Sequence, residues 1–214
     1  MSLRHHYSVK QSGRFNKTII FAGCLVLVAL AFAPYWASRA DLRLLSEFFH
    51  YLALASLWNL LAGYAGLVSV GQQAYVGLGG YLLFALAIFA GIHPLMAVLL
   101  CCLFGFLISM PVALLIFRLR GAYFAIGTWV VAEVFRLTFA QISSLGGGSG
   151  SSLPVSVVKM IAASRSYRES LTYWAAFLLL LVILGLIYGL LRSKFGLALK
   201  AIRDNELASK SLGV

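Results

Sequence analysis

Residues 59–81, NLLAGYAGLVSVGQQAYVGLGGY, are apolar enough for a membrane yet too interrupted for one plain spanning helix. Gly63, Gly66, Gly71, Gly77, Gly79 and Gly80 punctuate the stretch, with Ser69, Gln72 and Gln73 between them. A buried amide or hydroxyl without a partner costs about 1–3 kcal/mol, so these groups must face protein, a cavity or a substrate path. Irregular backbone at membrane depth is stable only where protein or a water-lined cavity satisfies it, and transporters place their sites at discontinuous helices. The stretch is expected to be a broken helix around which the remaining spans are arranged.

Composition places that break in a bilayer. The chain is 62% hydrophobic and 11% charged, with a mean hydropathy of +0.94, whereas a soluble domain carries about 25% charged residues. The net charge of +11 would suit nucleic acid in a soluble protein. Here the charges cluster at the ends of apolar runs, without a basic patch interleaved with aromatics, so they read as membrane orientation and no nucleic-acid partner is expected. Cys24, Cys101 and Cys102 lie inside apolar runs and read as packing residues. His5, His6, His50 and His93 form no ligand spacing, so no metal site is assigned. No nucleophile and base stand at a catalytic spacing either, which argues against an enzyme.

Apolar runs at 18–37, 48–61, 74–90, 95–117, 121–141 and 171–191 predict an all-α, polytopic membrane protein of about six transmembrane helices. Residues 1–17 form a basic N-terminal segment, 18–191 the membrane domain and 192–214 a charged tail. The first run is too long for the 7–15-residue apolar core of a signal peptide, and reads as an uncleaved helix. With the N-terminus inside, eleven Lys and Arg fall on its side and five on the other, so the positive-inside rule puts both the N-terminus and residue 214 in the cytoplasm. The outer loop 142–170 opens with SSLGGGSGSSLP, which reads as a flexible turn or linker.

Two places carry more than topology. Glu133 and Arg136 stand three residues apart on one helical face. An ionisable residue within a span is a candidate for the substrate path, although Arg136, about 23 Å into the bilayer, could also snorkel to the outer interface. The second place is the tail, KFGLALKAIRDNELASKSLGV, in which Phe195, Leu199 and Ile202 share one helical face and Asn205 can cap a further turn holding Glu206 and Lys210.

That tail resembles the cytoplasmic coupling loop of ABC importer permeases, in the version found in the branched-chain amino acid permeases. The residues carrying the resemblance are Phe195-Gly196, Ala201-Ile202-Arg203 and Leu212-Gly213, with Asp204, Asn205 and Glu206 between. The break is similar to the family's glycine-rich early segment through Gly63-Tyr64-Ala65-Gly66 and Ser69-Val70-Gly71. RLRGAYFAIGT at 118–128 looks like its arginine-glycine-x-tyrosine-phenylalanine motif, and 146–154 occupies its glycine-rich outer loop. Gln72 stands where such permeases usually carry histidine, and Gly148, Ser149 and Ser151 where a threonine and an acid are common. Members also continue into further spans past the coupling loop, so the chain is expected to be a fragment, a truncated gene product or one piece of a split permease.

The resemblance implies a permease subunit paired with a second permease subunit, two cytoplasmic ATPase subunits and an extracytoplasmic substrate-binding protein, in a bacterial-type inner membrane. ATP would be bound by the ATPases, and this subunit would need no cofactor. Asn59, Ser69, Gln72, Gln73 and Glu133 are the expected pathway groups. Phe195, Gly196, Ala201, Arg203, Asp204, Asn205, Glu206 and Gly213 are the expected coupling residues. Branched-chain amino acids are the implied substrate, with urea or short-chain amides as the alternative. A secondary transporter or channel is the rival class, and it would need coupling-ion carboxylates beyond Glu133.

Overall fold

The computed structural model describes residues 13–148, 152–162 and 164–204, and every regular element among them is helical. The order is α1 (Gly13–Ala31), α2 (Ala33–Trp36), α3 (Arg39–Asn59), a π turn (Leu60–Tyr64), α4 (Gln72–Ile88), α5 (Pro94–Ile116), α6 (Ala122–Ala140), a 3-10 turn (Ser143–Leu145), α7 (Val155–Ile161), α8 (Arg165–Arg192) and α9 (Lys194–Asp204). The all-α, polytopic expectation holds. Four helices are long and apolar enough to cross a membrane, Arg39–Tyr64, Pro94–Ile116, Ala122–Ala140 and Arg165–Arg192, and two shorter apolar ones, Phe21–Ala31 and Gln72–Ile88, make up the expected six. Their outward surfaces are greasy, with Leu114 at 72% and Leu186 at 68% exposure, which is the pattern of helices solvated by lipid.

Several boundaries differ from the sequence reading: the first run divides into α1 and α2, and the last span begins at Arg165 rather than 171. The second span begins at Arg39 rather than 48, because Ser38 and Asp41 close a reciprocal capping box. The Ser38 hydroxyl accepts from Asp41 N–H at 3.3 Å, and the Asp41 carboxylate accepts from Ser38 N–H at 3.2 Å. Apolarity marks only the lipid-facing part of a helix, so its charged first turns were invisible to a hydropathy reading. The break is also narrower than 59–81: helix resumes at Gln72 and runs through Gly77, Gly79 and Gly80. The outer loop, read as a linker, holds the 3-10 turn and α7.

Packing fixes which ends lie together. α3 and α8 run parallel over a core of Leu42, Phe49, Ala53, Tyr173, Ala176 and Leu180, with the Phe49 ring 5.5 Å from Tyr173 and 5.4 Å from Phe177. The buried Tyr173 hydroxyl donates to the Leu30 carbonyl at 2.6 Å and so ties α1 to this pair. At the starts of both helices Glu169 gathers Arg43 and Arg165, with Arg39 at 3.8 Å. His93 joins α5 to the same end: Nδ1 accepts from Leu95 N–H at 3.4 Å while Nε2 donates to the Met160 carbonyl of α7 at 3.0 Å. The opposite end carries the π turn, α9 and the turn holding Arg118 and Arg120. α4 lies alongside α6, with Tyr75 against Phe135 and Tyr81 stacked on Phe139 at 4.5 Å.

Candidate functional site

Protein groups accept from four of the backbone N–H groups in the non-helical part of the break, those of Ala65, Leu67, Val70 and Gly71. Ala65 and Leu67 N–H both donate to the Leu61 carbonyl, at 3.2 and 3.1 Å. Gly66, at φ +71°, takes the left-handed turn that redirects the chain. Trp58 Nε1 donates to the Ser69 carbonyl at 2.9 Å, Gly71 N–H to the Ser69 hydroxyl at 3.3 Å, and Val70 N–H to the Thr128 hydroxyl at 3.0 Å. Gly71 is pressed so closely on α6 that a Cβ there would lie 2.5 Å from the Thr128 carbonyl oxygen. Thr128 is the seventh residue of α6, about 10 Å along its axis at 1.5 Å per residue. The non-helical residues 65–71 therefore climb into the bundle, and α4 starts inside it.

Two clefts flank the contact between α4 and α6. One, of about 550 Å³, places Ser69, Gln72 and Thr128 among apolar walls that include Leu57, Trp58, Val112 and Phe124. The other, of about 310 Å³, holds Gln73, Tyr81, Trp129, Glu133, Arg136 and Phe139. The five expected pathway groups thus divide: Ser69 with Gln72, and Gln73 with Glu133. Asn59 lines neither cleft; it is exposed at the end of α3, its Oδ1 2.6 Å from where a Cβ on Gly63 would sit. Glu133 and Arg136 pair as their spacing predicts, Arg136 Nε donating to Glu133 Oε2 at 2.9 Å.

The tail helix comes back to the break. Gly196, with no room for a Cβ against Leu190 and Leu191, lets α9 fold tightly under the end of α8. Arg203 then reaches across, its Nη1 donating to the Gly63 carbonyl at 2.8 Å while Nε donates to Asp204 at 2.9 Å. Lys200 Nζ lies 5.6 Å over the Tyr64 ring. Of the shared apolar face, Leu199 is half-buried, whereas Phe195 and Ile202 are exposed, as is Leu197 beside them. Ala201 is half-buried, and Asn205, Glu206 and Gly213 lie outside the described residues.

Sequence reasoning missed Trp58, Thr128 and Lys200. Thr128, a hydroxyl inside an apolar run, carried a usable signal; the meeting of Arg203 with Gly63, 140 positions apart, carried none.

Residues 42–214 match the family described as the permease component of branched-chain amino acid transport systems. The high-affinity branched-chain amino acid transport system permease protein LivM of Salmonella typhimurium is 29% identical over a 229-residue alignment covering 94% of this chain and 52% of that protein. LivM of Escherichia coli is 28% identical with the same coverage. The chain spans about half the length of these curated relatives. No solved structure gives a significant match. The matched residues take in the break, both clefts and the tail helix, and the chain belongs to the family of branched-chain amino acid transport system permease components.

Proposed function

We propose that the chain is a transmembrane permease subunit of an ATP-driven importer, moving branched-chain amino acids from an extracytoplasmic binding protein to the cytoplasm across a bacterial-type inner membrane. A second permease subunit and two ATPases complete the assembly, and ATP is hydrolysed by the latter. Beyond family membership, the observation that carries this reading is the docking of α9 on the break, through Arg203 on the Gly63 carbonyl. Residues 192–214 serve as the coupling segment, with the exposed Phe195, Leu197 and Ile202 offered to an ATPase. The end of the bundle with α9, Arg118, Arg120, Arg192 and Lys194 is the cytoplasmic one, by the positive-inside rule.

The mechanism follows from connectivity. A push on α9 is felt at Gly63, and the π turn passes it through residues 65–71 to Ser69, Gly71 and Thr128, which border the larger cleft. A ligand or partner shifts a two-state equilibrium only by the difference in its contacts between the states. A hydrogen bond at the half-exposed Arg203 is worth about 1 kcal/mol, which shifts such an equilibrium about fivefold. Several contacts of this size, broken together as α9 moves, suffice to change access to the cleft.

The test is ATP-dependent uptake by the assembled transporter in proteoliposomes, supplied with its binding protein. Accumulation of labelled L-leucine well above urea and acetamide is expected. Uptake of the amides with leucine excluded would overturn the amino acid assignment, and uptake independent of ATP would overturn the importer.

A further inference from the structure

The geometry points to Glu133 and Arg136 as the receptor for the α-ammonium and α-carboxylate groups of the transported amino acid. This rests on the reading of the chain as an amino acid permease, and adds to it the groups that select a zwitterion. Glu133 sits inside α6, with seven residues of that helix beyond it before its end at Ala140, and Arg136 stands one turn closer to that end. Charged groups at such depth face a bundle interior or a watery cavity, because lipid does not solvate them. Here they face the 310 Å³ cleft shared with Gln73, Tyr81 and Trp129, at the small end of the range of ligand sites, roughly 300–1,000 Å³. Neither side chain is sealed by protein: Glu133 is 41% and Arg136 65% exposed.

Charge balance gives the cleft its specificity. Empty, it holds one internal ion pair made through Nε and Nη2 of Arg136. A planar guanidinium can grip a second carboxylate bidentately along the edge formed by its two terminal nitrogens. An α-amino acid carries an ammonium and a carboxylate on one carbon, so its carboxylate meets Arg136 while its ammonium meets Glu133. Every charge is then paired in both the empty and the loaded site, and the net charge is zero in each. An amine or a carboxylic acid alone would leave one protein charge unmatched by the ligand, and a neutral amide could not replace either partner of the pair. The rings of Trp129 and Phe139 supply apolar wall for the substrate side chain.

The experiment measures binding of labelled L-leucine to the assembled membrane complex without its soluble binding protein, so that the latter's specificity does not enter. Leucinamide, which lacks the carboxylate, and 4-methylpentanoate, which lacks the ammonium, serve as competitors. In the wild type each analogue should compete about tenfold less well than leucine or worse, equivalent to about 1.4 kcal/mol. Arg136→Gln should abolish the preference over leucinamide and Glu133→Gln the preference over 4-methylpentanoate, each leaving the other preference in place. A merely structural pair would change the amount of complex without changing the rank order.

Arg136→Lys and Glu133→Asp cover a failure of the glutamine variants to assemble. They keep both preferences but should weaken leucine binding several-fold. Preferences intact in both glutamine variants, or unaltered leucine binding in both conservative ones, would overturn the inference. Leucine uptake by the complete wild-type transporter checks the underlying reading separately: its absence would remove that reading, whereas normal uptake with intact preferences in the variants would remove this inference alone.

Discussion

Arg203, in the last described turn of α9, donates to the carbonyl of Gly63 in the π turn at 2.8 Å, and its Cγ lies 2.9 Å from where a Cβ on Gly66 would stand. The tail helix and the glycine break are thus one contact surface. The sequence resemblance implied a tail gripped by an ATPase, with force passed to the last span. On the proposed reading such a force has a second route through this contact, into the irregular backbone beside the larger cleft.

Gly66→Ala should disturb this joint. The left-handed backbone costs an L-residue about 1–2 kcal/mol, and the new methyl must push the Arg203 side chain aside. Gly77→Ala is the control, because a Cβ there meets nothing within 4 Å and a helical glycine gains about 1 kcal/mol on replacement by alanine. Thermal midpoints of the purified assembled permease should fall for the first substitution and hold or rise for the second.

Thr128 anchors the top of the break. Thr128→Val removes the only acceptor assigned to Val70 N–H among the described residues and should cost about 0.5–1.5 kcal/mol, the net value of an ordinary hydrogen bond. Thr128→Ser should restore most of it. Equal stability in the valine and serine variants would show that the hydroxyl is not holding the segment.

At the far end Glu169 is only 11% exposed, and its Oε1 accepts from both Arg43 and Arg165. Glu169→Gln keeps one acceptor oxygen but removes the charge that Arg43 and Arg165 share, and should lower stability measurably. Arg39→Ala should do almost nothing, since Arg39 is 64% exposed and 3.8 Å away, and exposed ion pairs contribute about 0–1 kcal/mol. Chemical denaturation of the two variants in the same detergent separates these cases.

Much of this was legible in the chain itself, for identifiable reasons. Hydropathy located α5 and α6 nearly to the residue, because their lipid-facing runs and their ends coincide. It missed the first turns of α3 and α8, where Asp41 closes the capping box with Ser38 and Glu169 pairs with Arg43 and Arg165, polar contacts that hydropathy does not register. Spacing alone gave the Glu133–Arg136 pair, a contact within one helix turn. It could not divide Gln72 from Gln73 between two clefts, since that depends on which side of α4 meets α6. Nor could it place Asn59, whose exposure follows from the π turn that begins right after it.

The orientation has its own test. Cysteines at Ser166, in the first turn of α8, and at Ser193, between α8 and α9, lie at opposite ends of one 28-residue helix. On a cysteine-free background in intact cells, an impermeant thiol reagent should label the first and spare the second until the membrane is permeabilised. The reverse pattern would invert the assignment of the cytoplasmic end.

The central claim, that α9 works the break through Arg203, is tested most directly by the coupling ratio of the assembled transporter. Leucine accumulated per ATP hydrolysed would be measured in proteoliposomes carrying the wild type, Arg203→Lys or Arg203→Ala, after confirming that each complex retains its ATPases. Loss of a contact worth about 1 kcal/mol should lower the ratio about fivefold in the alanine variant, with lysine intermediate because it keeps the charge but not the fork. A wild-type ratio in Arg203→Ala would contradict the account.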